Sequence, residues 1–142
     1  MQTTWRIQRD RTHGAGALTW YFPDGDRPPT DNGPIEAHES LMIFNVSQQP
    51  ANIELDLYWS DKAPTLGIKV RVEAERVRSL RVPWFDDPED AQRVYVPVRT
   101  QYAIRVRSDV PVICQYGRLE VIPSYTLYTT MGYVDPSAEE RR

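Results

Sequence analysis

His38 and Glu39 are adjacent polar residues placed where a long loop runs into an apolar segment. An imidazole and a carboxyl group can transfer protons or bind a polar ligand. Adjacent residues of a strand point to opposite faces, so these two cannot act as one acid–base dyad. Two roles remain open: one side chain fixes the start of the strand by bonding the loop backbone, or one contacts a ligand.

Other residue types with catalytic potential are scarce. The chain holds two histidines, His13 and His38, and one cysteine, Cys114. Cys114 lies in an apolar segment, where burial raises the pKa of a thiol and suppresses its reactivity. The sequence contains no G-x-S-x-G motif and no C-x-x-C, H-x-H or H-E-x-x-H spacing. We therefore predict a non-enzymatic protein with no metal site and no cofactor.

A carbohydrate-active enzyme is the catalytic alternative. Glycoside hydrolysis needs two convergent carboxyl groups, about 5 to 9.5 Å apart. Glu39, Asp61 and Glu120 could supply them if the fold turned two of them toward one cleft.

The loop from Pro23 to Pro34 is flanked by residues typical of a polar small-molecule site. It contains four prolines, and long loops in compact domains are often functional. An aromatic ring beside such a loop can stack on a sugar while planar polar groups fix its orientation. Packing in the core is the alternative role for a tryptophan. We predict five ligand contacts: Trp20, His38, Glu39, Asp61 and Arg118.

The overall charge argues against strong attraction to nucleic acid. The chain has 17 Lys and Arg against 20 Asp and Glu, a net charge of -3. Five arginines of predicted strands could form a basic stripe, or could pair with Glu73, Glu75 and Asp109 on solvent faces. We expect weak, non-specific DNA binding at most. The five arginines are Arg76, Arg78, Arg81, Arg105 and Arg107.

Alternating apolar and polar residues indicate the strands that position these side chains. In residues 51–59, Ile53, Leu55, Leu57 and Trp59 alternate with Asn52, Glu54, Asp56 and Tyr58. This pattern predicts a strand with one buried face. Residues 38–46 are almost continuously apolar, which predicts a strand covered on both faces. Ser108-Asp109 predicts a turn before the apolar residues 110–116.

The chain has about seven to eight such short strands and no convincing helical window, which favours an all-β fold. We predict a single antiparallel β-sandwich, jelly-roll-like, over residues 18–133. Residues 1–17 should form a flexible arm, and residues 134–142 a disordered charged tail. The single cysteine excludes an intramolecular disulfide, and no apolar run is long enough to span a bilayer. We expect a soluble, cytoplasmic protein.

Six short segments match one family pattern in order and spacing. They are Trp20 to Gly25, Asn32-Gly33-Pro34, His38-Glu39, Tyr58-Trp59-Ser60-Asp61-Lys62-x-Pro64, Ser108-x-Val110-Pro111 and Gln115-x-x-Arg118-Leu119. On these segments the chain resembles the sensory rhodopsin transducer family, whose members are soluble prokaryotic β-sandwich proteins. It differs from the pattern at Tyr116, where the family has histidine, at Glu120, where it has aspartate, and at Asp26-Arg27.

The resemblance implies a homotetramer that lacks catalysis and passes a signal by binding partners. Wider relatives imply a small-molecule-binding domain, such as one for carbohydrate. Our leading hypothesis is a signalling module that binds a small polar ligand. The alternative is a protein-interaction relay that docks on a membrane receptor of the rhodopsin kind, and on DNA, with no small ligand.

Overall fold

The computed structural model describes residues 15–85 and 94–139, in which the chain forms ten strands and one short helix. Seven of these strands are longer than two residues, and all pairings are antiparallel. The elements are β1 (Ala17–Asp26), β2 (His38–Asn45), β3 (Ala51–Trp59), β4 (Thr65–Val72), β5 (Arg76–Arg81), β6 (Trp84–Phe85), β7 (Val94–Tyr95), β8 (Gln101–Glu120), β9 (Thr126–Met131), β10 (Tyr133–Val134) and α1 (Pro136–Glu139). The prediction of an all-β antiparallel fold is confirmed.

Strand β8 belongs to two sheets. Its first half pairs with β1 and β3 in sheet A, which has the order β10-β1-β8-β3-β4. Its second half pairs with β2 and β9 in sheet B, which has the order β5-β2-β8-β9. The inner faces of the two sheets meet in one hydrophobic core, the arrangement of a β-sandwich.

The predicted turn at Ser108-Asp109 is wrong, because β8 continues through both residues. Ser108 stays in register with Ile53. The Asp109 carboxylate bonds outside its own strand, accepting the N–H of Asn52 at 2.8 Å and its Nδ2 at 2.7 Å. Aspartate is common in turns, but here its side chain accepts hydrogen bonds from a residue of the neighbouring strand β3.

Strand β1 extends further than the sequence pattern indicates. It runs through Pro23 to Asp26, although its register with β8 shifts between Phe22 and Gly25. A β-carbon at Gly25 would lie 2.7 Å from the ring of Tyr102, so this position accepts only glycine. The β1–β2 loop therefore begins at residue 27, where it leaves the end of the sandwich.

Only one face of β2 is covered within the described part of the chain. Leu41 and Ile43 are buried in the core, but Met42 is 37% exposed and Phe44 41% exposed on the outer side of sheet B. The prediction of a strand covered on both faces is wrong, because the apolar outer residues face away from the sandwich.

Asp56 breaks the predicted alternation of β3. The strand register shifts between Leu55 and Leu57, and the Asp56 carboxylate has no exposed surface. It accepts hydrogen bonds from the N–H of Gly67 at 2.8 Å and from Nε of Arg105 at 2.8 Å, and it pairs with Arg107 at 3.1 Å. Burial alone would raise the pKa of Asp56, but these hydrogen bonds hold it below the usual 3.8. Arg105 and Arg107 thus pair with Asp56, not with the predicted Asp109.

The C-terminal part of the described chain adds to sheet A. Val134 pairs with Trp20 in the β1–β10 ladder, and α1 follows within the segment for which we expected a disordered tail. Residues 1–14 of the expected arm, the acidic segment 86–90 and residues 140–142 lie outside the described residues. No helix in the described part of the chain has the length and apolar character needed to cross a membrane.

Candidate functional site

The polar residues with functional potential gather at one end of the sandwich. There β1 ends, β2 begins and β8 ends, so the topology brings Asp26, Glu39 and Glu120 to the same region. Glu39 stands directly opposite Arg118 in the β2–β8 ladder. Directly opposed residues point to the same side of a sheet, here the inner side. We call this region the loop end.

Glu39 is the centre of a buried hydrogen-bond network. Its side chain has no exposed surface. Oε1 accepts the hydroxyl of Tyr102 at 3.0 Å, and Oε2 accepts the hydroxyl of Tyr116 and the N–H of Asp26, the latter at 3.0 Å. Tyr102 lies in the sheet A half of β8 and Tyr116 in the sheet B half. One carboxyl group therefore joins β1, β2 and both halves of β8.

Burial sets the protonation behaviour of this network. It raises the pKa of Glu39 above the usual 4.5, although the three hydrogen bonds and the nearby Arg118 charge act in the opposite direction. Burial and the Glu39 charge also raise the pKa of Tyr102 and of Tyr116, so both hydroxyls remain donors. The two tyrosine hydroxyls and the N–H of Asp26 together fix the position of the Glu39 carboxyl group.

Arg118 forms the boundary between this network and solvent. Its side chain is 11% exposed, and its guanidinium lies 4.8 Å from the ring centroid of Tyr128. Nη2 lies 3.7 Å from Oδ2 of Asp24, and Nε lies 3.1 Å from Oε1 of Glu120. Burial alone would lower the pKa of Arg118, but the surrounding tyrosines and carboxylates raise it, so the guanidinium stays charged.

A small cavity opens beside the network, under the β1–β2 loop. Its volume is about 150 Å³, and three of its six lining residues are charged. The loop before β8 forms one wall, where the N–H of Arg99 donates to the carbonyl of Arg27 at 2.8 Å. Arg99 has a φ of 58°, an unusual conformation for a residue other than glycine. The lining residues are Asp26, Pro28, Pro29, Arg99, Glu120 and Ile122.

The five predicted contact residues are not all brought together. Glu39 and Arg118 share the loop end. Trp20 is 6% exposed, its Nε1 donates to the carbonyl of Val112 at 3.0 Å, and its ring packs in the core.

His38 has the same parity as Met42 on the outer side of β2, with Nδ1 3.1 Å from the carbonyl of Glu36. Asp61 is exposed in the turn after β3, and no described contact joins it to Glu39.

The three carboxylates of the glycosidase alternative are differently placed. Glu39 has no surface open to a substrate. A pair would have to be formed by Asp61 and Glu120, and no described contact brings those two together. Cys114 is fully buried, and burial raises its pKa to about 12. Among residues 15–85 and 94–139, no three His, Cys, Asp or Glu side chains cluster as ligands for a metal ion.

Sequence reasoning missed four residues of the loop end: Tyr102, Tyr116, Asp26 and Arg99. The two tyrosines carried a usable signal, since a tyrosine at a buried strand position needs a partner for its hydroxyl. Glu39 falls on the same buried parity of β2 as Leu41 and was the available acceptor. No pattern in the sequence pointed to Arg99, because only the folded chain places its loop beside Asp26.

Comparison with known proteins agrees with this fold. The family model of the Anabaena sensory rhodopsin transducer (ASRT) matches residues 15–134. The crystal structure of Thermotoga maritima 1070 is 33% identical with a TM-score of 0.71, and the match covers 84% of this chain and 96% of that one. The structure of the Anabaena sensory rhodopsin transducer is 30% identical with a TM-score of 0.61, covering 74% of this chain and 91% of that one. No curated protein matches the chain. On the family match and both structural likenesses, this chain belongs to the Anabaena sensory rhodopsin transducer family.

Proposed function

We propose that this transducer-like chain is a non-enzymatic, cytoplasmic signalling module that binds a small polar ligand, such as a carbohydrate, at the loop end. The observation that carries the proposal is the cavity of about 150 Å³ lined by Asp26, Arg99 and Glu120. Small-molecule sites are concave and place a few polar groups where they converge. This cavity has both properties and lies beside the buried Glu39 network.

The hydrogen bonds around Glu39 give such a ligand a route to the rest of the molecule. Asp26 lines the cavity and donates its N–H to Glu39. Glu39 in turn holds Tyr102 of sheet A and Tyr116 of sheet B. A ligand that displaces Asp26 would therefore act on both sheets at once. Glu39 and Arg118 fix the cavity wall in this proposal, while contacts through Trp20, His38 and Asp61 remain predictions.

A thermal-shift panel of monosaccharides, oligosaccharides and small polar metabolites tests the proposal. Selective binding to the folded state adds about 2.7 kcal/mol of stability at a hundredfold excess over Kd, which raises the Tm. Arg99→Ala and Glu120→Gln should each reduce the shift, because each removes a polar group of the cavity wall. Arg76→Ala is the matched control, since Arg76 is exposed and pairs with Asn45 at the far end of β2. A shift that survives both wall substitutions would place the ligand elsewhere.

A specific observation favours a second candidate, the protein-interaction relay. The outer side of sheet B carries an apolar groove of about 440 Å³. Its lining residues stand in register across β5, β2, β8 and β9, and contiguous exposed apolar patches often mark interaction sites. They are Met42, Phe44, Val77, Ile113, Gln115 and Met131.

We propose that a second copy of the chain covers this groove in a homotetramer, as the family resemblance implies. The relay candidate then has the assembly dock on a membrane receptor of the rhodopsin kind without any small ligand. DNA binding would stay weak and non-specific, because the net charge is -3. A silent ligand panel together with a stable assembly would move this candidate ahead of ligand binding.

A further inference from the structure

Asp26 and Arg99 line the same cavity with opposite charges but do not pair with each other. Both residues belong to the lining, and no ion pair of the described residues joins them. Across residues 15–85 and 94–139, neither the Asp26 carboxylate nor the Arg99 guanidinium has a hydrogen-bond or ion-pair partner. Two opposite charges that belong to one small cavity and do not pair with each other can bind a ligand that carries both a positive and a negative group.

The neighbouring charges are already satisfied by the protein. Arg27 donates Nη1 to the hydroxyl of Tyr95 at 2.8 Å and to the carbonyl of Val96 at 2.7 Å. Asp24 accepts the hydroxyl of Tyr128 at 3.1 Å and lies beside Arg118. Their charges hold the protein together, so they are not the groups left open to a ligand.

Glu120 is only partly engaged. Its Oε1 lies 3.1 Å from Nε of Arg118, and Oε2 has no described partner. Glu120 also lines the cavity, so this oxygen can accept a hydrogen bond from a ligand there. The cavity therefore offers one guanidinium on the Arg99 side and two carboxylate groups, those of Asp26 and Glu120, as acceptors.

The size and walls of the cavity restrict the ligand further. A volume of about 150 Å³ is well below the roughly 300 to 1,000 Å³ of pockets that hold drug-sized ligands. No aromatic ring is part of the lining, and the apolar surface comes from Pro28, Pro29 and Ile122. Trp20, the ring expected to stack on a sugar, is buried in the core. These walls fit a short aliphatic group better than the face of a sugar ring.

We propose that the loop-end cavity binds a small zwitterion of the α-amino acid class. The ligand carboxylate pairs with the Arg99 guanidinium, a geometry that allows two parallel N–H···O bonds. The ligand ammonium group donates to the Asp26 carboxylate and to Oε2 of Glu120. The inference rests on the proposed function and names the ligand class of the same cavity.

The test uses α-amino acids beside derivatives that lack one charge. We would measure thermal shift and calorimetric binding of the full chain with free amino acids that have short aliphatic side chains, with their amides, with their N-acetyl forms and with neutral monosaccharides. Only the free amino acids should bind. The amide lacks the carboxylate that Arg99 needs, and the N-acetyl form lacks the ammonium group that Asp26 needs.

Two substitutions test the two ends of the ligand. Arg99→Gln and Asp26→Asn should each weaken amino-acid binding about tenfold or more, because each removes a hydrogen bond between charged groups. Neither side chain has a described partner, so the unliganded Tm should not change. Arg76→Gln and Glu54→Gln are the controls, one exposed on β5 and one on β3, and both should bind as the wild type does.

The outcomes separate this inference from the proposed function. Sugar binding that Arg99→Gln abolishes, without amino-acid binding, would overturn the zwitterion and leave the ligand site intact. Equal binding of an amino acid and its amide would also overturn it, since Arg99 would then have no role. Silence toward every compound, amino acids included, would overturn both.

Discussion

Tyr116 donates its hydroxyl to Oε2 of Glu39 in the interior of the sandwich, where neither side chain is more than 2% exposed. Because Tyr102 bonds the other carboxyl oxygen, the same group is held from both halves of β8. The loop end is thus fixed by one buried carboxyl group, not by hydrophobic packing alone. A buried acceptor of this kind is costly to lose, since its donors are then left without partners.

Removing the Glu39 carboxyl group should destabilise the protein more than removing one of its donors. Glu39→Leu leaves two tyrosine hydroxyls and the Asp26 N–H unsatisfied, whereas Tyr116→Phe removes a single hydrogen bond to a charged group, worth about 1.5 to 3 kcal/mol. Urea unfolding at neutral pH measures both. Tyr125→Phe, at a residue 60% exposed, is the control and should be neutral. Equal stability of Glu39→Leu and the wild type would show that the network contributes nothing.

Glu39 should also give the protein an unusual pH dependence. Its pKa is raised in the folded state, so its contribution to the free energy of unfolding is most favourable below the usual 4.5 and declines as pH rises through the folded pKa. The side chain introduced by Glu39→Gln cannot ionise, so this variant lacks the pH-dependent contribution of Glu39 to the free energy of unfolding. The difference in stability between wild type and Glu39→Gln should therefore change in favour of the wild type on acidification. Denaturation midpoints measured from pH 4 to pH 8, at intervals of about half a unit, give the sign directly, and a difference that is flat with pH would contradict the assignment.

The sequence predicted the fold well because strand alternation depends on local chemistry. The strand from Ala51 to Trp59 is present with the same boundaries, and its apolar residues are buried. The prediction from alternation failed where a polar side chain bonds a residue of another strand. Asp109 bonds Asn52 instead of closing a turn, and Asp56 is buried against Arg105. Such bonds depend on register, which alternation alone does not reveal.

The candidate site was predictable only in part, for a related reason. Glu39 and Arg118 came from motif positions, and the ladder does place them opposite each other. Arg99 and Asp26 line the same cavity because the loop before β8 bonds the loop that follows β1 at the same end of the sandwich. Loop conformation of this kind leaves no periodic signal, so the cavity could be found only in the folded chain.

Asp56→Ala should destabilise the protein by about 2 to 3 kcal/mol, because it removes the acceptor for Gly67 and leaves the half-buried Arg105 unpaired. The pKa of Asp56 is lowered in the folded state, so its stabilising effect is present above the usual 3.8 and is lost as pH falls through the folded pKa. Urea titrations at neutral and acidic pH should show the two proteins converging in acid. Glu54→Ala is the control, because Glu54 is an exposed partner of Arg107 and should cost less than about 1 kcal/mol. A cost as small for Asp56 as for Glu54 would count against the buried ion pair.

The apolar groove on sheet B should be the contact between copies of the chain. Size-exclusion chromatography with light scattering should give about four times the 16.5 kDa chain mass. Phe44→Glu places a charge in the groove, where desolvating it against a second copy is unfavourable, so the assembly should dissociate. Lys69→Glu changes an exposed charge on sheet A and should leave the mass unchanged. A monomer at micromolar concentration would contradict the tetramer itself, whereas a tetramer that survives Phe44→Glu would place its contacts on another surface.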